Sequence, residues 1–530
     1  MGFPWATKGQ SSPLCLSLDL PSSLVGGVQS QFHQQLPLRP NPNPRRPPRH
    51  HSATATATGA KRERRRRRLG QEGEVEELVD RISHLPDGIL GDIVSLLPSK
   101  DGACTQVLSS RWRPIWRSAP LNLDLIGLDF TGKRLNAVNV SRIVSAHQGP
   151  GRRFCTEAMY CDPGYGSVTL NKWLQSSAVD ILQELKFHYD ISYRHPPPPL
   201  TASVDRFSST LRAASIGSCS FPEENSASAL HLHLLKQLSL LDVRISETSL
   251  YALLAACPAL QSLLLTSIMG FSRVQIVSPN LRSIGLRHGY TNTDLQELVI
   301  EDAPCLERLI CYEDVLGKIA TVSVISAPKL HVFAPLFRRS FGEIDGSIRF
   351  GITVFQRFSI LSLTMVVHSV KVLALTQRDL CLDMVINFLK CFPCLEKLYI
   401  TATGGSGEKN TWCRKYKNLI ATIEIHLKKI VLADYRGNAS HVNFAKFFVL
   451  NATMLQSMRL ELYQNFSSAW IERQHGLIQI KDKASRDAQF DFVAPISMAS
   501  NSHFQTFDAF AEQVHDLSTA DPFVKFHNWA

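Results

Sequence analysis

One short pattern recurs through the middle of this chain at nearly constant spacing, and it constrains the architecture more than any other feature. Pro258-Ala-Leu-Gln-Ser-Leu-Leu-Leu265 returns as Pro279-Asn-Leu-Arg-Ser-Ile-Gly-Leu286 and as Pro304-Cys-Leu-Glu-Arg-Leu-Ile310. It returns again as Pro328-Lys-Leu-His-Val-Phe333 and Pro393-Cys-Leu-Glu-Lys-Leu-Tyr-Ile400. The first four prolines stand 21, 25 and 24 residues apart, inside the span of roughly 20–29 residues of leucine-rich repeats. Each unit offers one short strand whose leucines point inward, and stacking the units closes a continuous core. Leu235–Leu240 and Leu295–Ile300 read as further strands of the same kind. The spacing is uneven, so the expected body over residues 121–415 is an irregular leucine-rich repeat solenoid, a horseshoe of α/β class.

The same alignment disposes of a tempting thiol site. Cys391-Phe-Pro-Cys394 is a C-x-x-C, which alone suggests redox or metal chemistry. Yet Phe392-Pro-Cys-Leu395 superposes on Cys257-Pro-Ala-Leu260, so these cysteines hold repeat positions and read as core. A second pair at zinc-finger spacing is missing from the sequence. The 12 cysteines are scattered without a disulfide-scaffold spacing, which suits reduced thiols in the nucleus or cytoplasm.

The formal charge of +11 is concentrated at one end. Residues 1–70 carry 12 Lys or Arg against Asp19 and Glu63, leaving the other 460 residues a net charge of +1. A basic nucleic-acid face on the body is therefore not expected. Residues 1–78 are rich in Pro, Ser and Arg and cannot bury enough apolar area to order themselves. Their run Lys61–Arg68 suits nuclear import, polyanion binding or a solvated linker, with a plastid transit reading behind those. Leu14-Cys-Leu-Ser-Leu-Asp-Leu20 is similar to the leucine motif that recruits plant co-repressors. The apolar stretch Phe358–Val370 is too short for a membrane span of about 20 residues.

Order is expected from about Val79. Over Ile82–Leu97 the residues Leu85, Ile89, Ile93 and Leu96 fall on one helical stripe, with Leu90 and Leu97 beside it. Pro86 and Asp87 suit a helix start, and Pro98 a stop. Val107 and Leu108 follow, then Trp112 and Trp116 one turn apart with Pro114 between them, which marks a helix boundary or kink. A unit of about three short helices over 79–120 is too small for an enzyme and carries more leucine than it can bury alone.

These residues, in this order and spacing over about 40 positions, resemble an F-box. The resemblance implies docking on a Skp-type adaptor and, through it, a cullin. It assigns Leu85, Pro86, Ile89, Leu90, Ile93, Leu96, Leu97, Val107, Leu108, Trp112 and Trp116 to the adaptor-binding face. Gly91 inside the first helix, and Gly102 and Ser110 where relatives often carry a bulky apolar residue and an arginine, depart from the pattern. Further on, His426–Leu432, the Tyr435-Arg-Gly-Asn438 turn and Phe444–Leu455 are similar to the FBD domain of plant F-box proteins, expected over 416–495 as strand, helix, strand. Residues 496–530 are expected to be loosely ordered, with a short helix at Phe507–Val514.

The sequence contains no phosphate loop, dinucleotide turn, H-E-x-x-H or G-x-S-x-G, so no catalytic residue, metal ligand or cofactor is expected. The reading that follows is a non-catalytic substrate receptor of a ubiquitin ligase, whose repeats hold an unknown protein target. The alternative is a repeat scaffold or transcriptional regulator without ligase function.

Overall fold

The computed structural model describes residues 82–524 except 83, 98, 125–128, 131–132, 135–136, 161–164, 191–196, 223–230, 289–294, 314–320, 338–346, 352, 357–358, 363–365, 378–379, 403–423 and 496–502. The basic tail, with its leucine motif and arginine run, lies outside the described residues, as does Pro98. The chain divides after Trp116 into two compact units.

The first unit is helical. Its helix Asp87–Ser95 is shorter than the span read from the sequence, because Pro86 stands at the N-cap in an extended conformation (ψ 148°). Ser99–Cys104 and a 3₁₀ turn at Thr105–Val107 follow. The helix Trp112–Ser118 carries Pro114 in its first turn, where a missing amide costs nothing; the proline therefore marks a boundary.

The second unit is built on a 14-stranded sheet in which spatial order follows chain order. Its strands are Leu121–Asp124, Gly151–Tyr160, Glu184–Asp190, Ala213–Gly217, Gln237–Leu241, Ser262–Thr266, Ser283–His288, Arg308–Glu313, Val332–Phe337, Val372–Gln377, Lys397–Ala402, Lys429–Tyr435, Ser457–Leu462 and Gln489–Val493. Every neighbouring pair is parallel. The repeats align in register, with Ser262 opposite Ser283, Ser283 opposite Arg308 and Arg308 opposite Val332. The leucine two residues after each repeat proline (Leu260, Leu281, Leu306, Leu330 and Leu395) is buried, as the repeat pattern requires. The parallel stack agrees with a leucine-rich repeat solenoid of α/β class.

One expected strand belongs elsewhere. Glu297–Asp302, which covers most of the Leu295–Ile300 segment, does not join the long sheet. It lies in a second sheet of six strands, between Arg273–Val277 and Thr321–Val324. Leucine alternation reports that one face of a strand is buried but not which layer it belongs to. Here Leu298 and Ile300 bury against the core from the return side of the repeats. The two layers meet through aromatic rings: Phe333 of the long sheet lies 5.0 Å from Phe350 of the second, edge to face, and 6.1 Å from Phe392.

The FBD-like region continues the stack. Lys429–Tyr435, the helix Ala439–Asn451 and Ser457–Leu462 give the expected strand–helix–strand order, and Asn438 caps the helix by accepting from the His441 amide at 2.9 Å. One ladder of backbone bonds runs through repeats and FBD-like region alike. The amide of Glu396 donates to Lys371, Lys428 to Glu396, Gln456 to Lys428 and Gln489 to Gln456, all at 2.7–2.9 Å. The region therefore forms the last rungs of the same solenoid.

The C-terminal segment corrects the expectation of loose order. His503–His515 is a helix longer than the one read from the sequence, and Phe510, Val514 and Phe523 are buried in a cluster with Leu264, Ile310 and Val372 of the long sheet. Its helical spacing is legible, but Phe510, Val514 and Phe523 pack on strands far earlier in the chain, which local periodicity does not show.

Candidate docking surface

The first helix separates core from surface cleanly. Leu90, Gly91, Val94 and Ser95 are buried on one face. One step round the helix, Ile89 and Ile93 are about half exposed and Leu96 is 77% exposed. The stripe continues beyond the second helix, where Val107 and Leu108 are 68% and 67% exposed. Pro86 is exposed as well, and Leu85, Leu97 and Trp116 are half-buried. Trp112 lies in the core with Ile115. Of the eleven residues assigned from the sequence, Leu90 and Trp112 thus hold the unit together, while Pro86, Ile89, Ile93, Leu96, Val107 and Leu108 face outward.

So many large apolar side chains on so small a unit have no use in water. Fully covering one such side chain contributes about 1.5–3 kcal/mol, which makes the stripe a surface suited to a partner.

Two residues that shape this surface were missed or misjudged from the sequence. Arg111 donates from Nε to the Asp87 carboxylate at 2.8 Å and from Nη2 to the Leu85 carbonyl at 2.5 Å. It pins the Leu85-Pro86 entry to the first helix from the far side of the unit. Ser110, marked in the sequence as a departure from the F-box pattern, has Arg111 beside it, so the signal was one position away. Gly102, read as a missing apolar contact, is buried against the Trp116 ring, where a Cβ would come within 2.4 Å of the indole.

Residues 170–400 match the family model described as "FBD-associated F-box protein At5g56370, LRR repeats", and residues 417–460 match the FBD model. These two matches identify FBD-associated leucine-rich repeats followed by an FBD region, and the chain resembles plant F-box/FBD/LRR-repeat proteins. It is similar to the F-box/FBD/LRR-repeat protein At5g56420 of Arabidopsis thaliana, 30% identical over 265 residues that make up 46% of this chain and 60% of that protein. It is also similar to the putative F-box/LRR-repeat protein At3g58880 of the same plant, 32% identical over 36% of this chain and 43% of that protein. Against the F-box/FBD/LRR-repeat protein At3g26920, again from Arabidopsis, identity is 23% over 78% of this chain and 96% of that protein. With the first two, the match spans about half of the relative's own length.

In this chain the C-x-x-C is part of the repeat stack. Cys391 is fully buried and its thiol is pushed up to about 12 by burial, while Cys394 is half-buried. Among the described residues no cluster of His, Cys, Asp and Glu could hold a metal ion, and no helix is long and apolar enough to cross a membrane.

Proposed function

We propose that this chain is the substrate-recognition subunit of a Skp-cullin-F-box ubiquitin ligase. Its N-terminal helices dock on a Skp-type adaptor, which ties the chain to a cullin, and the repeats hold a protein target for ubiquitination. The observation that carries the reading is the outward stripe Ile89, Ile93, Leu96, Val107 and Leu108, set against a separate inner face of Leu90 and Val94. Relatives named F-box/FBD/LRR-repeat proteins support it.

The chain performs no chemistry of its own. It acts by proximity, holding target lysines near a charged conjugating enzyme and so raising their effective concentration. It works in the nucleus, the cytoplasm or both, where its thiols stay reduced. Nucleic acid and membranes are not partners of the folded body.

Titration of a purified plant Skp-type adaptor into the full chain tests the reading. A saturable one-to-one complex is expected. Absence of binding would remove the ligase role and leave a repeat-based binder.

A further inference from the structure

The long sheet is apolar on both faces, and a solenoid core needs only one. Leu263, Leu265, Leu309, Phe333 and Leu398 are buried at alternate positions, with Phe333 against the second sheet. The intervening positions Leu264, Ile310, Val332, Leu336, Val372 and Val431 are buried too, on the face that lines the inside of a leucine-rich repeat horseshoe. Residues 503–524 cover them. After the last strand ends at Val493 the chain returns to the middle of the sheet, where Phe510, Val514 and Phe523 enter that apolar surface. Gly285 makes the seat: a Cβ there would stand 2.4 Å from Cγ2 of Val514.

The polar contacts follow the same rows of strands. Lys186 pairs with Asp508 at 2.5 Å. The hydroxyls of Ser262 and Ser239 meet the two ring nitrogens of His515 at 2.6 and 2.7 Å. Arg308 donates to the carbonyls of Gln513 at 3.2 Å, Asp516 at 2.7 Å and Thr519, closing the C-terminal end of the helix with a buried cation. Lys397 and Tyr399 both donate to the Asp521 carboxylate, at 2.8 and 2.9 Å. Residues 503–524 contain four acids and no Lys or Arg, and the sheet answers with Lys186, Arg308 and Lys397. Apolar anchors, matched charges and side-chain caps on a short amphipathic helix are the chemistry of helix-in-groove recognition.

We infer that this sheet face is the target-recognition surface and that residues 503–524 are its resident ligand, which a target displaces by presenting an acidic amphipathic helix of the same kind. The inference rests on the reading of the repeats as target-binding. It adds the class of target segment and a threshold: the apparent affinity for a target is reduced by the fraction of chains whose face is occupied.

The test uses the full chain and a fluorescently labelled synthetic peptide of residues 503–524, read by anisotropy. Neither adaptor nor ubiquitin enters the assay, so failure of the ligase reading and failure of this inference are seen separately. The unmodified chain holds its own segment and binds the peptide weakly. Phe510→Ala with Val514→Asp vacates the face and raises the apparent affinity about tenfold or more. Adding Gly285→Val, which fills the seat of Val514, abolishes the gain. No gain, or a gain that survives Gly285→Val, overturns the inference. If the vacated variant aggregates, native-state hydrogen exchange on the unmodified chain decides. Amides of 503–515 that open well before those of Ser262–Thr266 and Ser283–His288 uphold the inference, whereas equal protection makes the segment part of the core and overturns it.

Discussion

Gly102 lies directly beneath the indole of Trp116, so close that a Cβ would stand 2.4 Å from one ring carbon and 3.1 Å from the next. The glycine is therefore a condition for seating the tryptophan and not a lost docking residue. Gly102→Leu should force the ring out and cost about 1–3 kcal/mol by overpacking. Faster hydrogen exchange at the amides of Asp87–Ser95 would register the loss. Unchanged exchange would mean that the ring moves aside freely.

Gly437 is held by two independent constraints. Its φ of +67° is left-handed backbone, and a Cβ there would approach within 2.4 Å of the Trp470 ring. Gly437→Ala should cost about 1–3 kcal/mol, through strain plus the clash. The loss would appear as a lower denaturation midpoint of the full chain. The turn it makes also positions Asn438 as the cap of Ala439–Asn451, so that helix should fray first.

Acid should loosen the C-terminal half before the repeats. Burial, helped by the Arg436 charge, holds His441 down to about 4, and burial alone does the same for His515. Both are neutral in the fold: Nδ1 of His441 accepts from the Arg436 amide at 3.0 Å, and His515 is bracketed by Ser239 and Ser262. The unfolded chain takes up these protons near 6.5 and the folded chain near 4. Stability is therefore full above about pH 6.5 and falls as pH drops towards 4, by up to about 3 kcal/mol per histidine. Unfolding midpoints at pH 7.5 and 5 measure the drop, and His441→Gln should shrink it. An equal drop in that variant would assign the effect elsewhere.

Thiol chemistry offers a check on the repeat alignment. Cys311 and Cys391 are buried with their thiols pushed up to about 12, whereas Cys381 is exposed. A thiol-directed reagent should label Cys381 in the folded chain and spare Cys311 and Cys391. Labelling of Cys391 would remove it from the core.

The legible parts of this fold are those whose signal is local. A proline, a leucine two residues on and an alternating strand fit within eight positions, and the Tyr435–Asn438 turn runs directly into its helix Ala439–Asn451. The parts that escaped depend on partners distant in sequence. The Leu295–Ile300 segment carries the same alternation as the repeat strands, and only its neighbours Arg273–Val277 and Thr321–Val324 place it in the second sheet. Phe510 and Val514 read as part of a short helix, but that they pack beside Leu264 and Gly285 is not written in their neighbours. In the docking surface the stripe could be read, but its division could not: Ile89 and Leu90 are adjacent and equally apolar, yet one faces out and the other is core.

That division gives the most direct measurement of the central claim. Adaptor affinity and thermal stability should be compared for Ile93→Asp with Leu96→Asp and, separately, for Leu90→Ala, all in the full chain. The outward pair should weaken adaptor binding by more than about 2 kcal/mol while leaving stability within roughly 0.5 kcal/mol. Leu90→Ala should instead cost about 2–5 kcal/mol of stability in the helical unit. Adaptor binding that is undiminished by the outward pair, or absent from the unmodified chain, would contradict the account.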